Sequence, residues 1–160
     1  MCASLVITHN AGSSGNTASW QHPGLHTGWR SVVSVEELPD LVDKVVGIMK
    51  RLGYGRRDKF AVHLALEEAT VNAVKHGHQF DPHKQVRIWW AVTAADVRLI
   101  VQDEGPGFDP TQVPDPRLPE HQERTSGRGL LLISSCMSWV RHNRRGNCII
   151  MCLRRAEQTR

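Results

Sequence analysis

Between Lys59 and Lys75 the chain carries more apolar residues than a surface helix needs. Phe60, Ala61, Val62, Leu64, Ala65, Leu66, Ala69, Val71, Ala73 and Val74 cover most of the circumference of a helix, which places it inside the fold. Glu67, Glu68 and Asn72 fall within that apolar sequence. Buried carboxylates are costly unless they are paired or bound to a metal. A fold for this chain must therefore bury this helix and also account for its polar residues.

The neighbouring segments limit how that can be done. Asp58 is predicted to cap the helix. Upstream, Leu38, Leu41, Val42, Val45, Met49 and Leu52 recur at helical spacing, with Ser34 and Glu37 spaced as a capping box and Pro39 tolerable in the first turn. Gly53 ends that helix, and Trp29 to Val35 reads as a strand before it. Downstream, Val86, Ile88, Trp90 and Val92 alternate, then Val97, Leu99 and Val101, around a turn at residues 93–96. A helix resumes at residues 129–138, and a hairpin pairs residues 139–144 with 148–153. The order predicts an α+β protein: a two-layer sandwich with helices on one face of a mostly antiparallel, mixed sheet.

The 160 residues suffice for one such domain, and no apolar run approaches the ~20 residues that span a bilayer. Only Leu5-Val6-Ile7 is apolar near the N-terminus, with no basic residue before it, so no signal peptide and no membrane association are expected and a cytoplasmic location is the default. Residues 1–28, rich in Gly, Ser, Thr and Asn, read as a flexible tail ahead of a single domain at 29–160. Cys2, Cys136, Cys148 and Cys152 form no C-x-x-C pair, and three lie in apolar runs, so they read as reduced core residues. The nine histidines lack metal-binding spacing. The net charge of +4 is split, with six Arg against one Glu over 139–160 and six acids against one Arg over 103–123. That division argues against direct nucleic-acid binding, which wants a basic stripe with interleaved aromatics.

Three segments carry chemistry. In Glu68-Ala-Thr-Val-Asn72, continuing to His76-Gly77, positions 68, 72 and 76 share one helical face. An Asn oxygen can ligand Mg²⁺, which keeps waters and phosphates in its shell, and a carboxylate one turn earlier can take a proton from a hydroxyl. Alone, the pair reads equally as a helix-dipole carboxylate and a hydrogen-bonded Asn. Asp103-Glu-Gly105-Pro-Gly107-Phe108 follows a strand, where a carboxylate can accept a hydrogen bond from an exocyclic amine and glycines allow close backbone approach; a plain Gly-Pro turn is the simpler reading. Thr125-Ser126-Gly127-Arg128-Gly129 opens a helix whose bare N–H groups face phosphates, or merely ends a flexible stretch. Neither G-x-x-x-x-G-K-[ST] nor a strand-borne G-x-G-x-x-G occurs, which excludes P-loop and Rossmann readings.

Taken in order, the three segments resemble the GHKL (Bergerat-fold) ATP-binding family, and within it the stand-alone bacterial anti-sigma-factor serine kinases of the RsbW type. Glu68 to Gly77 is similar to the N box, Asp103 to Phe108 to the G1 box, and Ser126 to Ile133 to the G2 box, and the resemblance covers roughly Val32 to Leu153. It implies a Bergerat sandwich with a long ATP lid at about residues 104–126. It also implies ATP and Mg²⁺ as cofactors. Asn72 would hold the metal against the triphosphate, and Glu68 would be the base for the acceptor serine. Asp103 would bind the adenine amine, Gly105 and Gly107 would shape the pocket, and Ser126, Gly127, Arg128, Gly129 and Leu130 would wrap the phosphates. Lys75 or His76 would reach the phosphates, and Arg124 or Arg128 would add charge from the lid.

The implied activity is a Mg-ATP-dependent serine/threonine-protein kinase acting on an anti-anti-sigma (STAS-type) protein, with a sigma factor as a further partner and a homodimer as the assembly. Trp89-Trp90 would serve either that interface or the core. An ATP-binding adaptor that holds a partner without phosphoryl transfer is the alternative, and Glu68 favours the kinase. One departure stands out: where the family often has Gly-Thr in the last hairpin, this chain has Gly146-Asn147.

Overall fold

The computed structural model of the chain describes residues 24–109 and 128–156. Five strands form one antiparallel sheet: β1 (His26–Val32), β2 (Val86–Val92), β3 (Asp96–Gln102), β4 (Trp139–His142) and β5 (Cys148–Arg154). Their order across the sheet is β1-β2-β3-β5-β4, and every pairing is antiparallel, so the described sheet is not mixed. Three helices, α1 (Leu38–Arg51), α2 (Arg56–Asn72) and α3 (Arg128–Cys136), complete the α+β sandwich. No helix among the described residues is long and apolar enough to cross a membrane.

The period-two pattern sets the inner face. Ile88, Trp90, Leu99, Val101, Ile149 and Met151 alternate along their strands and are buried beneath Leu41, Val45 and Met49 of α1 and Val62, Ala65, Leu66 and Ala69 of α2. One row runs Gly28, Trp90, Leu99, Met151, Val140 across all five strands. Trp90 lies across β1, and a Cβ on Gly28 would collide with its indole ring. Of the Trp89-Trp90 pair, Trp90 is therefore core, while Trp89 is half-buried on the opposite face.

Several boundaries differ from the sequence expectation. β1 begins at His26 and ends at Val32, not Trp29 to Val35, because pairing with β2 rather than apolar content defines it. A 3-10 turn at Val35–Glu37 precedes α1, where Glu37 Oε1 accepts from the N–H groups of Val33 (2.8 Å) and Ser34 (3.2 Å), the reach-back half of the capping box. The N-cap of α2 is Gly55, not Asp58, which lies buried in the first turn. Nor is α2 buried all round: Phe60 is 66% exposed and Leu64 and Val71 are half-buried. From Ala73 to Gly77 the helix widens into a π turn, and Gln79 and Phe80 follow with φ of 54° and 59°.

Candidate functional site

α2 runs toward the end of the sheet where β3 finishes and β5 starts, so the π turn meets Asp103. The contact is close enough that a Cβ on Gly77 would strike the Asp103 carboxyl, and a Cβ on Gly105 would strike the Gly77 carbonyl. Here glycine is required by approach rather than by turn geometry. The π turn shifts the register of the helix by one residue, a device common at functional sites. It brings Gly77 against the carboxylate that the strand end presents.

Asp103 is buried, and its Oδ1 accepts from the Gly105 N–H at 2.7 Å. Burial pushes its carboxyl above the usual carboxylate range, while the Gly105 N–H, His78 and Arg145 pull it back down. The last hairpin secures this strand end. Asp103 N–H donates to the Asn147 carbonyl at 3.0 Å, and Asn147 Nδ2 donates to the Asp103 carbonyl at 2.9 Å. Asn143 Nδ2 donates to Asn147 Oδ1 at 2.8 Å. The Asn that stands where the family often has Thr is thus an internal brace, bonded at both the nitrogen and the oxygen of its side-chain amide.

A cleft of about 240 Å³ opens between the π turn, the strand end and the start of α3. Asn72, His76, Asp103, Gly107 and Leu130 from the expected site line it. Phe108 and His142 also border it, edge to face with centroids 5.5 Å apart, and burial lowers the His142 pKa so that the ring favours its neutral form. Gly105 lies beneath the cleft rather than on its wall. Lys75 is exposed and is not among the lining residues.

Glu68 sits one turn from Asn72 and packs on the first turn of α3. A Cβ on Gly129 would lie 2.5 Å from Glu68 Oε2 and 3.1 Å from Asn72 Nδ2. Glycine at 129 therefore lets the start of α3, with its positive dipole end, close onto both polar side chains of α2. Glu67 points elsewhere, exposed and 3.8 Å from His63 Nε2. Arg128 opens α3, while Arg124, Ser126 and Gly127 and the segment expected as a lid beyond Asp109 lie outside the described residues.

The donor set can be tested against a divalent cation. Among the described residues no group of three or more His, Cys, Asp or Glu could hold a metal. Asn72 supplies one amide oxygen on the cleft wall, with Glu68 beside it. One amide oxygen with a carboxylate beside it fits Mg²⁺, which is usually held by one or two side chains with phosphates and water completing the octahedron.

Sequence reasoning missed Arg145, His142 and His78, and it noticed Asn147 only as a departure from the family's Thr, without its bracing role. His78 is 1% exposed, with Nδ1 3.1 Å from the Asp81 carbonyl. Asn147 and Arg145 act on backbone groups some 40 residues away, which no local spacing announces.

A central helix bearing Glu68 and Asn72, an antiparallel strand running into Asp103 and a helix whose Gly129 closes on both have the layered arrangement of an ATPase-type domain. The profile of the histidine kinase-like ATPase domain matches residues 33–153, and the chain belongs to that family. Among curated relatives it is 34% identical over 101 residues to the serine-protein kinase RsbW of Bacillus subtilis (strain 168), covering 59% of this chain and 63% of that protein. It is 26% identical over 111 residues to the serine-protein kinase RsbW of Oceanobacillus iheyensis, covering 66% of this chain and 70% of the relative. The match thus spans less than two thirds of the Bacillus subtilis relative's length. A solved structure of the RsbU and RsbW domains of a Mycobacterium tuberculosis protein shares the fold, with a TM-score of 0.51 at 15% identity, over 80% of this chain and 32% of that one.

Proposed function

We propose that this chain is a Mg-ATP-dependent serine kinase of the anti-sigma type. It phosphorylates a STAS-type anti-anti-sigma protein and sequesters a sigma factor in the cytoplasm, as a homodimer built on a single domain that starts with β1 at His26 rather than at residue 29. The observation that carries the reading is the packing of Glu68 and Asn72 together against Gly129, with Asp103 on the wall of the adjoining cleft. The names of the curated relatives support the activity.

Asp103 accepts the adenine amine at one end of the cleft, in a pocket shaped by Gly105 and Gly107. Asn72 would hold Mg²⁺, which would supply charge neutralisation for the triphosphate when bound. Ser126 to Leu130 face the phosphates, where the start of α3 offers bare N–H groups and a favourable dipole. Of Lys75 and His76, the alternatives for reaching the phosphates, His76 is the one on the cleft wall, and Arg124 or Arg128 adds charge to the triphosphate. Glu68 orients the acceptor serine and takes its proton as the new O–P bond forms and the bond to the ADP oxygen breaks. Such a step draws most of its acceleration from positioning and electrostatics.

Glu68→Gln tests this. With a purified STAS-domain protein and labelled Mg-ATP, the variant is expected to bind nucleotide like wild type and to transfer phosphate ~10²–10⁴-fold more slowly. A partner bound equally by both proteins, with no phosphoserine formed by wild type, would establish the adaptor instead.

A further inference from the structure

The turn between β4 and β5 grips the loop after β3 from 40 positions away in sequence. Arg145 Nη2 donates to the Gly105 carbonyl at 3.0 Å, and Arg145 Nε donates to the Pro106 carbonyl at 3.3 Å. A guanidinium is a rigid planar fork, so two successive carbonyls held by one group fix the peptide planes between them. The backbones interlock at the same place. Gly107 and Gly146 have φ of +80° and +74°; a Cβ on the first would strike the Arg145 carbonyl, and one on the second the Phe108 carbonyl. Gly105, held at its carbonyl by Arg145, gives its own N–H to Asp103 Oδ1. A continuous path therefore runs from the guanidinium through Gly105 to the carboxyl on the cleft wall.

We infer that Arg145 is a positioning residue for base recognition: it fixes Gly105, whose N–H aims the Asp103 carboxyl at the exocyclic amine of a purine. This rests on the reading of the cleft as an adenine site. Arg145 itself is exposed and does not line the cleft, so it touches no part of the nucleotide's base pocket. Its effect is specific to the amine, since a nucleotide lacking that group gains nothing from an aimed carboxyl.

The test compares the full chain with Arg145→Ala and Arg145→Lys, measuring affinity for ATP and for purine riboside triphosphate, which lacks the amine. Arg145→Ala is expected to reduce the preference for ATP roughly three- to ten-fold, the scale of one or two net hydrogen bonds, with affinity for the analogue unchanged. Arg145→Lys, which keeps charge but loses the fork, falls between. The ratio of the two affinities is insensitive to partial unfolding, which lowers both equally. Discrimination by wild type that both variants retain in full would overturn the role of Arg145 alone. Failure of wild type to bind ATP, or to prefer it over the analogue, would overturn the adenine reading and this inference with it.

Discussion

Tyr54, the single tyrosine of the chain, shows how one residue joins distant segments. Its hydroxyl donates to the Thr93 carbonyl at 2.8 Å, and the Arg155 guanidinium lies 5.2 Å from the ring centroid. Arg155 also donates to the carbonyls of Leu52, Gly53 and Ala94, tying the end of β5 to the α1–α2 turn. Burial, reinforced by the Asp96 charge and opposed by Arg155, pushes the phenol up to about 12 from 10.0. A folded pKa above the unfolded one stabilises below pH 10.0, and that stabilisation is lost as pH rises toward about 12. The urea midpoint of wild type is expected to fall over that window more than that of Tyr54→Phe, with tyrosinate absorbance rising only near the upper end. Equal slopes for the two proteins would dissolve the link. At neutral pH, Tyr54→Phe is expected to cost about 1 kcal/mol, one net hydrogen bond.

At the scale of elements, alanine at two glycines is expected to act with opposite sign. Gly47 lies within α1, where a Cβ would meet only Arg51 Nη1 at 3.8 Å. Gly47→Ala should raise stability by ~0.5–1 kcal/mol in urea titrations, the usual gain of alanine over glycine inside a helix. Gly77→Ala forces the π turn off Asp103 and should cost ~1–3 kcal/mol, with weaker ATP binding. A neutral outcome at Gly77 would mean that the π turn is slack.

The same glycines show where sequence reasoning succeeds and stops. The apolar periods of α1, β2, β3 and β5 are local, and the burial of Leu41, Val45, Ile88, Leu99 and Met151 follows them. The π turn is not local: it exists because Gly77 must meet a strand end 26 residues later, as its contact with Asp103 shows. β1 was legible only in part because His26, Thr27 and Gly28 carry no apolar signal; Gly28 is small to make room for Trp90. Asn72 and Asp103 were legible as motif residues, and both line the cleft. The backbone contacts of Arg145 and Asn147 were not, since carbonyls leave no mark in the sequence that serves them.

For the whole molecule, the outer face of the sheet bears on assembly. Trp29, Trp89, Ile100, Ile150 and Arg141 are register partners in a line across it, exposed at the two ends and half-buried between them. Trp29 at one end is 64% exposed, and Arg141 stands exposed at the other. In the proposed homodimer, copies stacked face to face about a two-fold axis parallel to the strands near Ile100 would bring each Trp29 toward the other copy's Arg141, whose guanidinium lies 5.6 Å from the Trp139 ring of its own chain. Trp29→Asp is expected to weaken that dimer at least ~10-fold in sedimentation experiments while leaving the fold intact. A wild type that is monomeric at every concentration would remove the dimer from the proposal.

The sheet register also separates two ends of the molecule. Gln102 and Cys148 pair beside Asp103 at the cleft, whereas His26 pairs with Val92 and Asp96 with Arg154 at the opposite edge. The first strand therefore starts, and the last strand finishes, at the rim of the sheet opposite the cleft, so that a change at either of those strand ends is set apart from the cleft by the full length of the strands.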